Sequence, residues 1–211
     1  MLLKREHSSR RPHSPCLLVI LAALVLCAWP RSLRASEGEG TPHFLLLAVG
    51  GGYALSSGEG KGGNHFEGGG LLDVQMGLGW FHLGEGFGGM TGALDLRRRW
   101  TSNVVQDSSI DAGVLDYLFT LAAYWGVSKG SVVVFGSIGG SGMTFSGHQG
   151  EEINFTGGGG LGFLLPLAEW SRTSRGLLLF VEPRIGAFFH PTKNLGDFGF
   201  YDASLSLGMG F

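Results

Sequence analysis

The last eleven residues, YDASLSLGMGF, alternate without a break. Tyr201, Ala203, Leu205, Leu207, Met209 and Phe211 fall on one side, and Asp202, Ser204, Ser206, Gly208 and Gly210 on the other. A period of two marks a strand with one apolar and one polar face. The pattern recurs upstream. In 71–80, Leu72, Val74, Met76, Leu78 and Trp80 oppose Asp73, Gln75, Gly77 and Gly79. In 86–98, Met90, Leu94 and Leu96 oppose Thr91, Asp95 and Arg97, and in 110–127, Tyr117, Phe119 and Leu121 oppose Asp116 and Thr120. In 176–190, Leu179, Val181 and Ile185 oppose Glu182, Arg184 and Gly186. With 155–167 and two stretches of less clear phase, 43–55 and 131–145, the count reaches eight.

Eight strands joined by short polar turns predict an antiparallel meander closed into an all-β up-and-down barrel over 43–211. An eight-stranded barrel has room inside only for enough side chains to fill it. The small and polar row therefore suits the interior. The large apolar row faces outward, an arrangement suited to lipid, so the expected architecture is a transmembrane β-barrel. Threading the strands up and down gathers Trp80, Phe87, Trp125, Trp170 and Phe211 near one rim. Tyr53, Phe66, Trp100, Phe145, Phe155, Phe189 and Tyr201 gather near the other, giving the two aromatic belts of a bilayer protein. Outer loops are expected at 56–65, 99–109, 146–152 and 191–198, and inner turns at 82–85, 128–130 and 169–175.

Gly157, Gly159 and Gly162 satisfy the G-x-G-x-x-G spacing of a dinucleotide-binding turn, but the motif needs a strand before it and a helix after it. Pro166 and the polar residues beyond it leave no room for that helix. In a chain with 39 glycines among 211 residues, such a match carries little weight. The glycines read instead as wall residues that leave space inside and ease strand coiling.

The N-terminus has a basic lead (Lys4, Arg5, Arg10, Arg11), an apolar core over 16–29 and a small residue, Ala35, at a plausible cleavage point. This is the layout of a secretory signal peptide at 1–35, followed by a short linker at 36–42. The apolar core is too short for a membrane-spanning helix. Removal of 1–35 takes away six of the 15 basic residues and leaves an acidic chain, which disfavours a nucleic-acid partner. It also takes both cysteines, Cys16 and Cys27, and with them any disulfide framework or thiol chemistry.

Over about residues 41–211 the chain resembles the small outer-membrane β-barrel proteins of Gram-negative bacteria, of the OmpA/OmpX type. The likeness rests on the signal peptide, the eight amphipathic strands and the terminal SLSLGMGF. The resemblance implies location in the outer membrane. It also implies that the last strand, through Tyr201, Leu205, Leu207, Met209 and Phe211, is the address read by the outer-membrane assembly machinery.

On the inner row, Asp73, Asp95, Asp116, Glu182 and Asp202 face Arg97 and Arg184. Buried charges need partners, so a salt-bridge network plugging the lumen is favoured over a charge-selective channel. Arg97, Arg98 and Arg99, placed at the outer rim, are candidates for contact with lipopolysaccharide phosphates. The histidines His43, His65, His82, His148 and His190 are too dispersed for metal-ligand spacing. Only His148 has serine and acid neighbours, and these lie in a loop, so no enzyme, metal or cofactor is expected. The function read from the sequence is a structural or surface role in the outer membrane. The alternatives are a small channel for small or hydrophobic solutes and a soluble periplasmic lipid-binding barrel.

Overall fold

The computed structural model describes residues 43–58, 65–81, 85–105, 108–145, 151–170, 177–192 and 196–211. The expected signal peptide at 1–35 and linker at 36–42 lie outside the described residues, as do His82, His148 and the side chain of Trp170. Eight long strands run in sequence: β1 (His43–Ser57), β3 (Gly69–Phe81), β4 (Gly86–Val105), β5 (Ser108–Val127), β6 (Gly130–Phe145), β7 (Glu151–Trp170), β8 (Leu177–Thr192) and β9 (Gly196–Gly210). The two-residue β2 (His65–Phe66) precedes β3 in the chain and pairs with β4. Each long strand is antiparallel to the next, and β1 pairs with β9 from Leu46↔Gly210 to Ser57↔Gly199, so the sheet closes on itself.

The terminal residue completes this seam through its main chain. Phe211 N–H donates to Leu45 O at 2.9 Å, and Phe211 O accepts from the N–H of Leu45 at 3.1 Å and from that of Phe44. Closure pairs each of the eight long strands on both sides, the condition for a strand structure to cross hydrocarbon. The start of β1 and the end of β9 therefore share one rim, termed here the terminal rim.

The alternation fixes which side chains face inward, because a one-residue slip would exchange the two faces along a whole strand. Leu205 and Leu207 are 57% and 56% exposed on the outer surface, whereas Asp202 and Ser206 beside them are buried. Trp80 and Trp125 mark the terminal rim, each meeting Phe87 at centroid distances of 6.1 and 6.5 Å. Tyr53, Trp100, Phe155 and Tyr201 are exposed toward the far rim.

Three expectations change. Phe66 does not join the far belt: β2 turns into the mouth, and its ring lies against Phe198 (4.5 Å, edge-on) and Phe200 (5.8 Å). Phe145 packs on the same inner cluster. No loop spans 99–109, since β4 and β5 pair continuously to Val105↔Ser108. The polar residues there interrupt the apolar row but not the backbone ladder, which is indifferent to side-chain polarity. Finally, the strand expected over 155–167 is longer, with β7 running through Pro166 to Trp170. The strand takes a register shift between Pro166 and Ala168 and continues to Trp170, because a bulge accommodates a residue that cannot donate to the ladder.

The interior is not lined by small and polar residues alone. Phe81, Tyr124, Phe135, Phe180 and Phe188 point inward in one apolar cluster, and Phe66, Met143, Phe198 and Phe200 form a second at the far mouth. Inward glycines provide their seats. A Cβ on Gly158 would lie 2.6 Å from Phe188 Cδ1, and one on Gly208 would strike the Phe180 ring. Within the glycine run singled out in the sequence, Gly158 thus receives the Phe188 ring from the adjacent strand β8.

Candidate functional site: a charged waist between two apolar clusters

Consecutive inward positions of β4 carry Asp95, Arg97 and Arg99. The register sets Arg97 beside Asp73 of β3 and Asp116 of β5. From the other side of the seam, β8 contributes Glu182, Arg184 and His190, and β9 contributes Asp202. All of these side chains are buried.

Asp202 is the hub. Its carboxylate accepts from Arg97 Nη1 at 3.0 Å, from Arg99 Nε at 3.0 Å and from Arg99 Nη2 at 2.6 Å. Arg99 also donates to Asp116. Asp116 Oδ1 in turn lies 3.0 Å from His190 Nε2. Arg97 Nη2 donates to Asp95 at 2.9 Å and stands 3.9 Å from Asp73. Arg184 grips Glu182 two-handed, Nε at 2.5 Å and Nη2 at 2.9 Å. Bidentate guanidinium–carboxylate pairs of this kind combine directionality with strength. The guanidinium faces are covered as well: Arg97 Cζ lies 4.2 Å from the Phe188 ring centroid, and Arg184 Cζ 5.3 Å from that of Phe135.

Backbone glycine is needed here too. A Cβ on Gly162 would lie 2.6 Å from Glu182 Oε1 and 3.0 Å from Arg184 Cγ, and one on Gly50 would collide with Asp73 Oδ1 and Ser206 Oγ. The waist is therefore brought together from five strands, β3, β4, β5, β8 and β9, and seated on glycines of two more, β1 and β7.

The seven inner-row residues named from the sequence, Asp73, Asp95, Arg97, Asp116, Glu182, Arg184 and Asp202, all lie in this waist. Two members were missed. Arg99 is fully buried and bonded to two aspartates, and His190 bridges Asp116 and the Phe200 ring. Parity would have found both, since 95, 97 and 99 share a face, as do 182, 184 and 190. The grouping of Arg97, Arg98 and Arg99 as one outer lipid contact does not fit. Successive strand residues point to opposite faces, so only Arg98 looks outward.

His190 and Asp116 have the arrangement of a base and its orienting acid, but a catalytic reading needs a hydroxyl on the other ring nitrogen and access for a substrate. His190 Nδ1 has no hydrogen-bond partner, and the pair is sealed beneath Phe200. Among the described residues no group of three or more His, Cys, Asp or Glu is placed to hold a metal ion. The arrangement can brace opposite walls of the barrel, and it places fixed charge where a water column would otherwise run.

No family model and no curated protein matches the chain. Its fold matches the crystal structure of Neisserial surface protein A (NspA), at TM-score 0.53 and 9% identity, over 81% of this chain and 99% of that one. A second similarity is to the outer membrane protein OprG from Pseudomonas aeruginosa, at TM-score 0.39 and 12% identity, covering 82% and 97%. The likeness to NspA establishes the fold, that of a small closed eight-stranded antiparallel β-barrel.

Proposed function

We propose that this chain is an integral outer-membrane barrel with a structural, surface-exposed role and an interior that does not conduct. The observation that carries the reading is the inversion of the usual protein plan. Large apolar side chains such as Leu94, Ile185, Leu205 and Leu207 lie outside, and paired guanidinium and carboxylate groups lie inside. That plan is stable only where hydrocarbon surrounds the wall. It argues against the soluble periplasmic alternative, which would place the leucines within.

Closure of the lumen is supported by its layering: an apolar cluster at each end and an ion-paired waist between them. An ion entering would have to displace arginines already bonded to acids, which favours a plug over the small-channel alternative. The outward side chains of Tyr201, Leu205, Leu207, Met209 and Phe211 are consistent with a last strand that is read by the assembly machinery before closure. In the closed barrel the main chain of Phe211 holds β1.

Fractionation tests the location: the protein is expected in the outer-membrane fraction with heat-dependent mobility on a denaturing gel. Recovery of freely dissolved protein from the periplasm would overturn the membrane assignment. A steady single-channel conductance in a planar bilayer would overturn the plug and establish the channel.

A further inference from the structure

Arg98 is unlike the other arginines of β4. It sits on the outer surface, half-buried, between the exposed Leu96 and Trp100. Its guanidinium does not reach into solvent but crosses the neighbouring strand. A Cβ on Gly113 of β5 would lie 2.9 Å from Arg98 Cζ and 3.1 Å from Oγ1 of Thr144 on β6. Glycine at 113 thus opens a shallow seat in which the guanidinium and a threonine hydroxyl converge across three strands. Among the described residues no carboxylate pairs with Arg98, although Asp111 is exposed nearby on β5.

An outward arginine on a membrane barrel costs about 2–4 kcal/mol at mid-depth and close to nothing at the headgroup boundary. The side chain therefore belongs at that boundary. Trp100 and Tyr117, both exposed beside it, are the residue types that mark this level. Below Arg98 the outward row is apolar, with Leu96, Leu94 and Met90; above it come Ser102 on β4 and Asp111 on β5. A guanidinium fixed at the boundary without a protein anion is arranged to receive one from the lipid. Its forked donors match phosphate, and the Thr144 hydroxyl, which donates to Gly113 O at 3.4 Å, flanks them as a polar wall.

We infer that Arg98, Gly113 and Thr144 form a binding site on the outer wall for the phosphate of a membrane lipid. The apolar row beneath holds the acyl chains. This rests on the outer-membrane reading above, because the far rim is then the one facing the phosphorylated glycolipid leaflet. The site takes one phosphate per barrel, and the acyl chains give it preference over free phosphate.

The test uses the full-length barrel folded in detergent micelles, with native mass spectrometry counting bound lipid. The probes are lipid A carrying its phosphates, the same lipid dephosphorylated, and inorganic phosphate alone. The wild type is expected to retain one phosphorylated lipid A and to bind the other two at least about tenfold more weakly. Arg98→Ala should lose that preference, and Arg98→Lys, which keeps charge without the fork, should retain part of it. Gly113→Ala should weaken binding with the charge intact, since its methyl group pushes the movable end of Arg98 off its seat. Heat-dependent mobility of each variant establishes that the barrel has folded. Equal retention by wild type and Arg98→Ala overturns the site, and equal binding of inorganic phosphate and lipid A overturns the lipid assignment. A chain that never gives a heat-modifiable form, in any variant or lipid, would instead defeat the barrel reading itself.

Discussion

At the scale of single residues, the interior is governed by what happens when one member of a buried set is lost. Asp202 holds two arginines, so Asp202→Ala leaves both short of an anion. Breaking a buried pair from one side costs about 3–5 kcal/mol where the charge is left with no partner; Arg97 keeps Asp95 and Arg99 keeps Asp116, so the loss falls below that range. The expected result is a lower urea midpoint for loss of the heat-modifiable form. Replacing the bidentate pair Glu182 and Arg184 together by apolar residues of similar volume should cost less than Glu182→Ala alone, which strands the Arg184 guanidinium. If Asp202→Ala unfolds at the wild-type midpoint, the waist is not a brace. A second residue-level outcome concerns Gly208, whose missing side chain makes room for Phe180. Gly208→Ala should destabilise by about 1–3 kcal/mol through overpacking. Adding Phe180→Leu should recover part of that loss, a coupling measurable in a double-mutant cycle.

At the scale of elements, β2 and the last residue of the chain do work out of proportion to their length. β2 is two residues long, yet it carries Phe66 into the mouth and ties itself to the wall through backbone contacts, including Glu67 N–H to Ser102 O at 2.8 Å. Phe66→Ala should cost about 3 kcal/mol, as for other buried aromatic truncations. It should still give no conductance in a planar bilayer, because the waist and the Phe180 cluster remain below. A channel opened by this single change would show that Phe66 alone closes the path. At the seam, Phe211 contributes main-chain hydrogen bonds to β1 that no other residue can replace. Deleting it should slow formation of the heat-modifiable species in a refolding time course, more than Phe211→Ala, which keeps the backbone bonds.

For the whole molecule, the alternating rows determine one topology and leave little freedom in it. Each long strand pairs with the next long strand, and the closing pair joins first to last, so the local signal is enough to specify the barrel. The expected strands were shorter than those formed. β4 and β5 rise past the apolar band as a paired ribbon, where polar side chains such as Ser102 and Asp111 can face water while their backbones stay bonded to each other. Sequence patterning reports burial or lipid contact; it loses strands that continue beyond both.

The sequence by itself determined the eight-stranded class, the outward leucines and the inward Asp73, Asp95, Arg97, Asp116, Glu182, Arg184 and Asp202, because a period of two assigns a face to every residue from its neighbours alone. Only the tertiary structure decided who meets whom inside. Asp202 and Arg99 are 103 positions apart in the chain, and His190 reaches Asp116 across 74. Such pairings depend on the stagger with which the sheet closes and on which glycines let a side chain from the neighbouring strand lie across them. Neither quantity is carried by any single strand.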